Sequence, residues 1–288
     1  MRVFDDMDFV QDHNYQNIQK AKSKEQFSHV LYRETEKARQ RFSDKPFFMG
    51  EFAFGQTNPK AKYDSKDPKG IDLHNSLWSS AFSGSMGPAS FWYWEVLDKN
   101  NWYGLFKPMN VFLGSLPILS DSFTGKTTGT AQGHVLSFPN NLETYYLVNA
   151  TEDTIIGWSQ DTAFCYQSLR RLTDEVGKNG HFLDDGVFDP EGYVYTLDKA
   201  KRPKPSSKSN TIEFPIENQQ RKTSYKVRWF DSETGLEMSD EATTAVVRRK
   251  RFRNVLEIQF PSSVRNVKKG EITNTLGDAV FMLTKISD

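Results

Sequence analysis

A single cysteine, Cys165, stands in a chain of 288 residues, so no intrachain disulfide can form and the sequence carries no redox-compartment signature. Its ordinary role is that of a small buried apolar residue. An excess of either charge is also missing: Lys+Arg and Asp+Glu both total 37, and the formal net charge is +0. That balance removes the long-range field of a general nucleic-acid or anionic-membrane binder and leaves only local patches. Neither nucleic acid nor membrane is expected as a partner. No apolar run approaches the ~18 residues that span a bilayer, and the opening Met1-Arg2-Val3-Phe4-Asp5-Asp6 is no signal peptide. The five histidines, at 13, 29, 74, 134 and 181, lack zinc spacing. Neither a Gly-rich phosphate loop nor a serine elbow occurs, so no metal or organic cofactor is expected. No segment repeats.

What is present is a run of strand ends rich in chemistry. Lys45-Pro46-Phe47-Phe48-Met49-Gly50-Glu51-Phe52 reads as an apolar strand that delivers one carboxylate at its end, before a turn at Gly55. A buried strand has no internal use for a carboxylate, so Glu51 is either paired or catalytic. Upstream, Asp8-Phe9-Val10-Gln11-Asp12-His13-Asn14-Tyr15 reads as a second such strand, and downstream Pro88-Ala89-Ser90-Phe91-Trp92-Tyr93-Trp94-Glu95 as a third. Between them the periodicity predicts helices over 24–42, with Phe27, Val30, Leu31 and Ala38 near one face, over 72–82, capped by Asp72, and over 108–119. The polar stretch 57–70 is predicted to be a long loop. This βαβαβα order predicts a parallel sheet with its strand-end loops on one rim.

The pattern changes after about residue 120. Short apolar and aromatic runs at 134–138, 144–148, 154–158, 193–197, 211–215, 225–230, 255–260 and 280–283 alternate with turn signals such as Pro139-Asn140-Asn141 and Glu233-Thr234-Gly235. They predict a β-sandwich in which only 164–176 is helical and 201–210 is a loop. The predicted domains are therefore 1–122 and 123–288. Trp158 and Trp229 sit within strand-like runs and are expected in packing, not as sugar platforms. The cluster Arg248-Arg249-Lys250-Arg251 with Arg253 reads as a solvated hairpin. Asp184-Asp185-Gly186 with Asp189 lacks the ligand spacing of a calcium loop.

The strand ends His13-Asn14-Tyr15, Gly50-Glu51-Phe52 and Trp92-Tyr93-Trp94-Glu95 resemble the sixth, seventh and eighth strands of clan A glycoside hydrolases of the family 5 cellulase and mannanase type. The stretch from His74-Asn75-Ser76-Leu77-Trp78 to Gly104-Leu105-Phe106-Lys107-Pro108 is similar to cellulase-like bacterial glycosidases that end in a β-sandwich. The resemblance implies α/β plus all-β architecture: the C-terminal portion of a (β/α)8 TIM barrel, strands 6–8, followed by a β-sandwich. It implies a retaining enzyme acting on a β-linked glycan, in which one carboxylate attacks the anomeric carbon and a second, ~5 Å away, protonates the leaving oxygen. Glu51 matches the nucleophile and Tyr15 the phenol that restrains it. His13, Trp92 or Trp94, and Glu95 would line the substrate, with Trp92 and Trp94 on one face of their strand, Tyr93 on the other, and one tryptophan in packing.

The family's acid/base glutamate follows its fourth strand, and this sequence offers no counterpart. The resemblance therefore implies a C-terminal segment that needs a missing N-terminal barrel half as partner and shows no glycosidase turnover alone. It also implies a periplasmic or secreted parent enzyme. Which glycan is cut stays open. The alternative expectation is a non-catalytic carbohydrate-binding or structural protein derived from a glycosidase.

Overall fold

The computed structural model describes residues 7–16, 27–42, 45–54, 70–116, 132–137, 142–161, 210–266, 271–272 and 277–286. Several expectations lie outside the described residues: the 57–69 loop, the Pro139-Asn140-Asn141 turn, Cys165, the 164–176 helix, His181, the Asp184–Asp189 acids, the 193–197 strand and the 201–209 loop.

Strand β1 (Val10–Gln16) pairs in parallel with β2 (Phe47–Phe54). Helix α1 (Phe27–Arg41) connects them, burying Val30, Leu31, Tyr32 and Ala38 while Lys37 and Gln40 face water. Arg39 and Arg41 lie in its last turn, where cations complement the helix dipole. Helix α2 (Ile71–Ala81) is buried along its whole length. Two of its three serines bond locally: Ser79 Oγ donates to the Ser76 carbonyl at 3.3 Å, and Ser80 Oγ donates to the same carbonyl at 2.7 Å and accepts from Ala89 N at 2.9 Å, whereas the buried Ser76 hydroxyl has no hydrogen-bond partner among the described residues. The cap differs from expectation. Gly70, at φ 64°, is the N-cap without a side-chain bond, and Asp72 lies inside the first turn. Helices α3 (Trp94–Asn100) and α4 (Lys107–Gly114) follow, separated by a 3-10 turn.

The remaining long strands are β3 (Gln132–Ser137), β4 (Leu142–Val148), β5 (Thr154–Asp161), β6 (Thr211–Ile216), β7 (Ser224–Phe230), β8 (Thr243–Lys250) and β9 (Arg253–Gln259). The two-residue strands β10 (Arg265–Asn266) and β11 (Glu271–Ile272) pair with each other, and β12 (Asp278–Lys285) closes the described chain. Eight of them form one antiparallel sheet in the order β3-β4-β5-β12-β7-β8-β9-β6.

This architecture corrects the predicted fold class. The described chain is mostly strand with four α-helices, and it is neither strands 6–8 of a (β/α)8 barrel nor a separate two-sheet sandwich. Two local causes are visible. The 88–95 segment does not extend into a full third parallel strand: it lies along β2 only around the Phe52 to Phe91 bridge, with backbone hydrogen bonds at Ser90 and Trp92, and turns into α3 at Trp94. Pro88 offers no N–H to a ladder there. In the β-rich part, β8 joins what would be two sheets, because residues 243–246 pair with β7 and residues 247–250 with β9. The sheet curls until its edge strand covers its far half: Phe214 of β6 contacts Tyr146 of β4 at 5.0 Å and Phe281 of β12 at 5.4 Å. The result is barrel-like.

Strand alternation then sorts two cores. Ala279, Phe281 and Leu283 of β12 point into the curl, while Val280 and Met282 point at the helices. The helix-facing side is sealed by aromatic pairs: Tyr32 to Tyr145 at 5.2 Å and Phe112 to Phe230 at 4.9 Å. Burial and then the neighbouring Glu143 push the Tyr145 phenol well above its ordinary range, so it serves as a donor to Glu143 at 2.9 Å. Trp158 and Trp229 are buried, 0% and 1% exposed, as packing residues should be. Gly157 makes a tight crossing, since a Cβ there would overlap the Tyr145 carbonyl oxygen and the Phe281 ring. Gly157→Ala is expected to destabilise the fold by about 2 kcal/mol, the scale of forced overpacking, read as a lower urea midpoint. An unchanged midpoint would refute the crossing as drawn.

Candidate functional site

The parallel pair carries one irregularity, and it positions the site. Val10, Gln11 and Asp12 stand opposite Phe47, Phe48 and Met49, but His13 stands opposite Glu51, so Gly50 is an inserted bulge residue. Without it the period of two would place Glu51 on the same face as Met49, which is 1% exposed in the core. The bulge re-phases β2 so that the Glu51 side chain shares a side with His13. Glycine suits the position because a Cβ would come within 3.3 Å of His13 Nε2 and closer still to the Gln11 side chain.

The Tyr15 hydroxyl donates a hydrogen bond to Glu51 Oε2. His13 Nδ1 lies 3.1 Å from the same oxygen, with the two side chains 40% and 25% exposed. Among the described residues no hydrogen bond or ion pair engages Glu51 Oε1, so the carboxyl group is held by one oxygen. Tyr15 packs edge-on against His13 at 6.2 Å and against Trp92 at 6.3 Å.

Trp92 reaches the group because the 86–92 segment runs along the other edge of β2. Met86 N donates to Phe47 O, Ser90 N to Met49 O, Phe52 N to Ser90 O and Trp92 N to Phe52 O, at 2.8 to 3.1 Å. Of the residues singled out by sequence, Glu51, Tyr15, His13 and Trp92 therefore assemble in one place. Trp94 and Glu95 belong to the first turn of α3, and the shared strand face expected for Trp92 and Trp94 does not exist. Both tryptophans are exposed, 48% and 63%, so neither is in the packing role expected for one of them, while Tyr93 is buried. Burial, and next the charge of Glu95, raises the Tyr93 phenol above its ordinary range.

Sequence reasoning missed the bulge. Its only signal was the glycine before Glu51, which breaks the apolar run without ending the strand. Among the described residues no cluster of three or more His, Cys, Asp or Glu side chains could hold a metal ion. No helix among them is long and apolar enough to cross a membrane. No protein-family model matches the sequence, and a search of curated proteins likewise returns no match.

Proposed function

We propose that Glu51 is the nucleophile of a retaining glycoside hydrolase site for β-linked glycans, with Tyr15 as its restraining donor and His13 and Trp92 bordering the bound sugar. The observation that carries this reading is the shared grip on Glu51 Oε2 by the Tyr15 hydroxyl and His13, on a strand re-phased by Gly50. A carboxylate that only satisfied a core would be covered and bonded at both oxygens, whereas this one is partly exposed and engaged at one. Glu51 Oε1 would attack the anomeric carbon as the bond to the leaving oxygen breaks, forming a glycosyl ester. The exposed indole of Trp92 offers an apolar face to a pyranose ring.

The reading requires a second acid to protonate an ordinary leaving oxygen, and none of the described residues is assigned that role. The test therefore uses a substrate that needs no acid: a 2-deoxy-2-fluoro-β-glycoside with a dinitrophenolate leaving group, in gluco, manno and galacto forms. The expected result is a covalent sugar on Glu51, located by peptide mass spectrometry. Tyr15→Phe is expected to slow this capture about 10²-fold, the scale of losing one preorganised donor. Saturable glycan binding that depends on Trp92 but gives no adduct with any of the three would instead favour a non-catalytic carbohydrate-binding protein.

A further inference from the structure

The hairpin tip between β8 and β9 carries a feature that the proposed glycan site does not use. Lys250 pairs directly with Arg253, so Arg251 and Phe252 alone make the turn. All six residues from Arg248 to Arg253 are exposed, and five of them are basic. The acids close enough to compensate them go to one cation: Lys250 is bonded to both Glu213 and Glu257. Arg248, Arg249, Arg251 and Arg253 have no ion-pair partner among the described residues. A chain with a formal net charge of +0 thus concentrates at the end of one hairpin four cations that no described acid pairs.

At its apex is Phe252, 95% exposed, whereas the next most exposed large apolar side chain, Trp94, is 63% exposed. Scattered apolar residues on a surface need no explanation, but a phenyl group held almost wholly in water at the outermost point of a cationic hairpin does. Arg251 adds to this, since its φ of 58° is a left-handed conformation that two-residue hairpins ordinarily assign to Gly or Asn. Lys250, Arg251, Phe252 and Arg253, with Glu213, also border an open concavity behind the tip.

We infer that this hairpin docks on an anionic lipid bilayer, with Phe252 entering the interface and the arginines meeting the phosphate headgroups. The order of the groups selects the occupant. A bilayer presents charge at its surface and apolar matter behind it, which matches an apolar apex followed by cations one to four residues back along the hairpin. A nucleic acid presents its phosphates over an extended track, and the cations of this tip are confined to the end of one hairpin. Because the whole chain has a formal net charge of +0, the cations of this hairpin are offset by an equal net negative charge over the rest of the chain, which an anionic surface repels, so binding depends on these residues and on ionic strength.

The test is flotation of the full chain with vesicles of three parts phosphatidylcholine to one part phosphatidylglycerol, against phosphatidylcholine alone, with the circular dichroism spectrum of each variant as the folding check. Binding is expected to the anionic vesicles only and to weaken as salt rises. Arg248→Ala and Arg251→Ala are each expected to lower partitioning about fivefold, and Phe252→Ser about tenfold, whereas Lys107→Ala on α4 leaves it unchanged. Absence of binding to the anionic vesicles, or equal binding to both vesicle types, would overturn the inference. So would retention of full binding by folded Phe252→Ser, or binding to a duplex oligonucleotide that vesicles fail to displace.

Discussion

Glu51→Gln is expected to reduce covalent capture of an activated 2-fluoroglycoside to background, a fall of about 10³-fold or more. The amide keeps the side chain's size and can still accept from Tyr15, so the β1–β2 pair should persist and the loss should fall on the bond-forming step. The control is the urea midpoint of the variant, expected to stay within about 0.5 kcal/mol of the parent because Glu51 is partly exposed. Capture that survives in Glu51→Gln, or an adduct found on another carboxyl group, would remove Glu51 from the nucleophile role. The reagent separates attack from proton donation: dinitrophenolate leaves with its electron pair unaided, so only the attacking oxygen is tested.

The largest stability effect is expected at Asp278. Its side chain is 0% exposed and joins parts of the chain remote in sequence: Trp158 Nε1 donates to Oδ2 at 2.5 Å, Ser232 Oγ donates to Oδ1 at 2.7 Å, and His74 Nε2 lies 2.7 Å from Oδ2. Asp278→Ala leaves three buried polar groups without this acceptor. At about 1–3 kcal/mol for each orphaned group, partly relieved by relaxation, the expected loss is about 3–5 kcal/mol. Asp278→Asn, which keeps one carbonyl oxygen, should lose about half as much. Because His74 belongs to α2 while Trp158 and Asp278 belong to the large sheet, far-ultraviolet circular dichroism and tryptophan fluorescence should report one shared transition that moves together in the variant. A loss below about 1 kcal/mol, or a shift in only one of the two signals, would show that the network does not couple the helices to the sheet.

Local chemistry made much of this molecule legible in advance. The apolar spacing of Val30, Leu31 and Ala38 specifies the buried face of α1, because a helix repeats every ~3.6 residues whatever it packs against. The runs around Tyr145, Trp158, Phe214, Val227, Leu256 and Phe281 could be read as strands, since β-branched and aromatic residues between turn signals favour extended backbone. The polar ends of the first two strands likewise pointed to Tyr15, His13 and Glu51 as one group.

Partnership and register were another matter, since both depend on residues distant in the chain. Phe91 to Glu95 has the composition of a strand, yet its bonding to β2 ends at Trp92 and a helix begins at Trp94. The joining of the β-rich part into a single curled sheet rests on β8 changing partners midway, which no local period encodes. Nothing in the local sequence marks Asp278, and only the fold brings His74, 204 residues away, against it. At the candidate site the sequence by itself determined which side chains were available. Tertiary structure decided their orientation, through the extra residue at Gly50: in a strand of period two, one inserted residue moves a carboxyl group from the core face to the face that His13 and Tyr15 share.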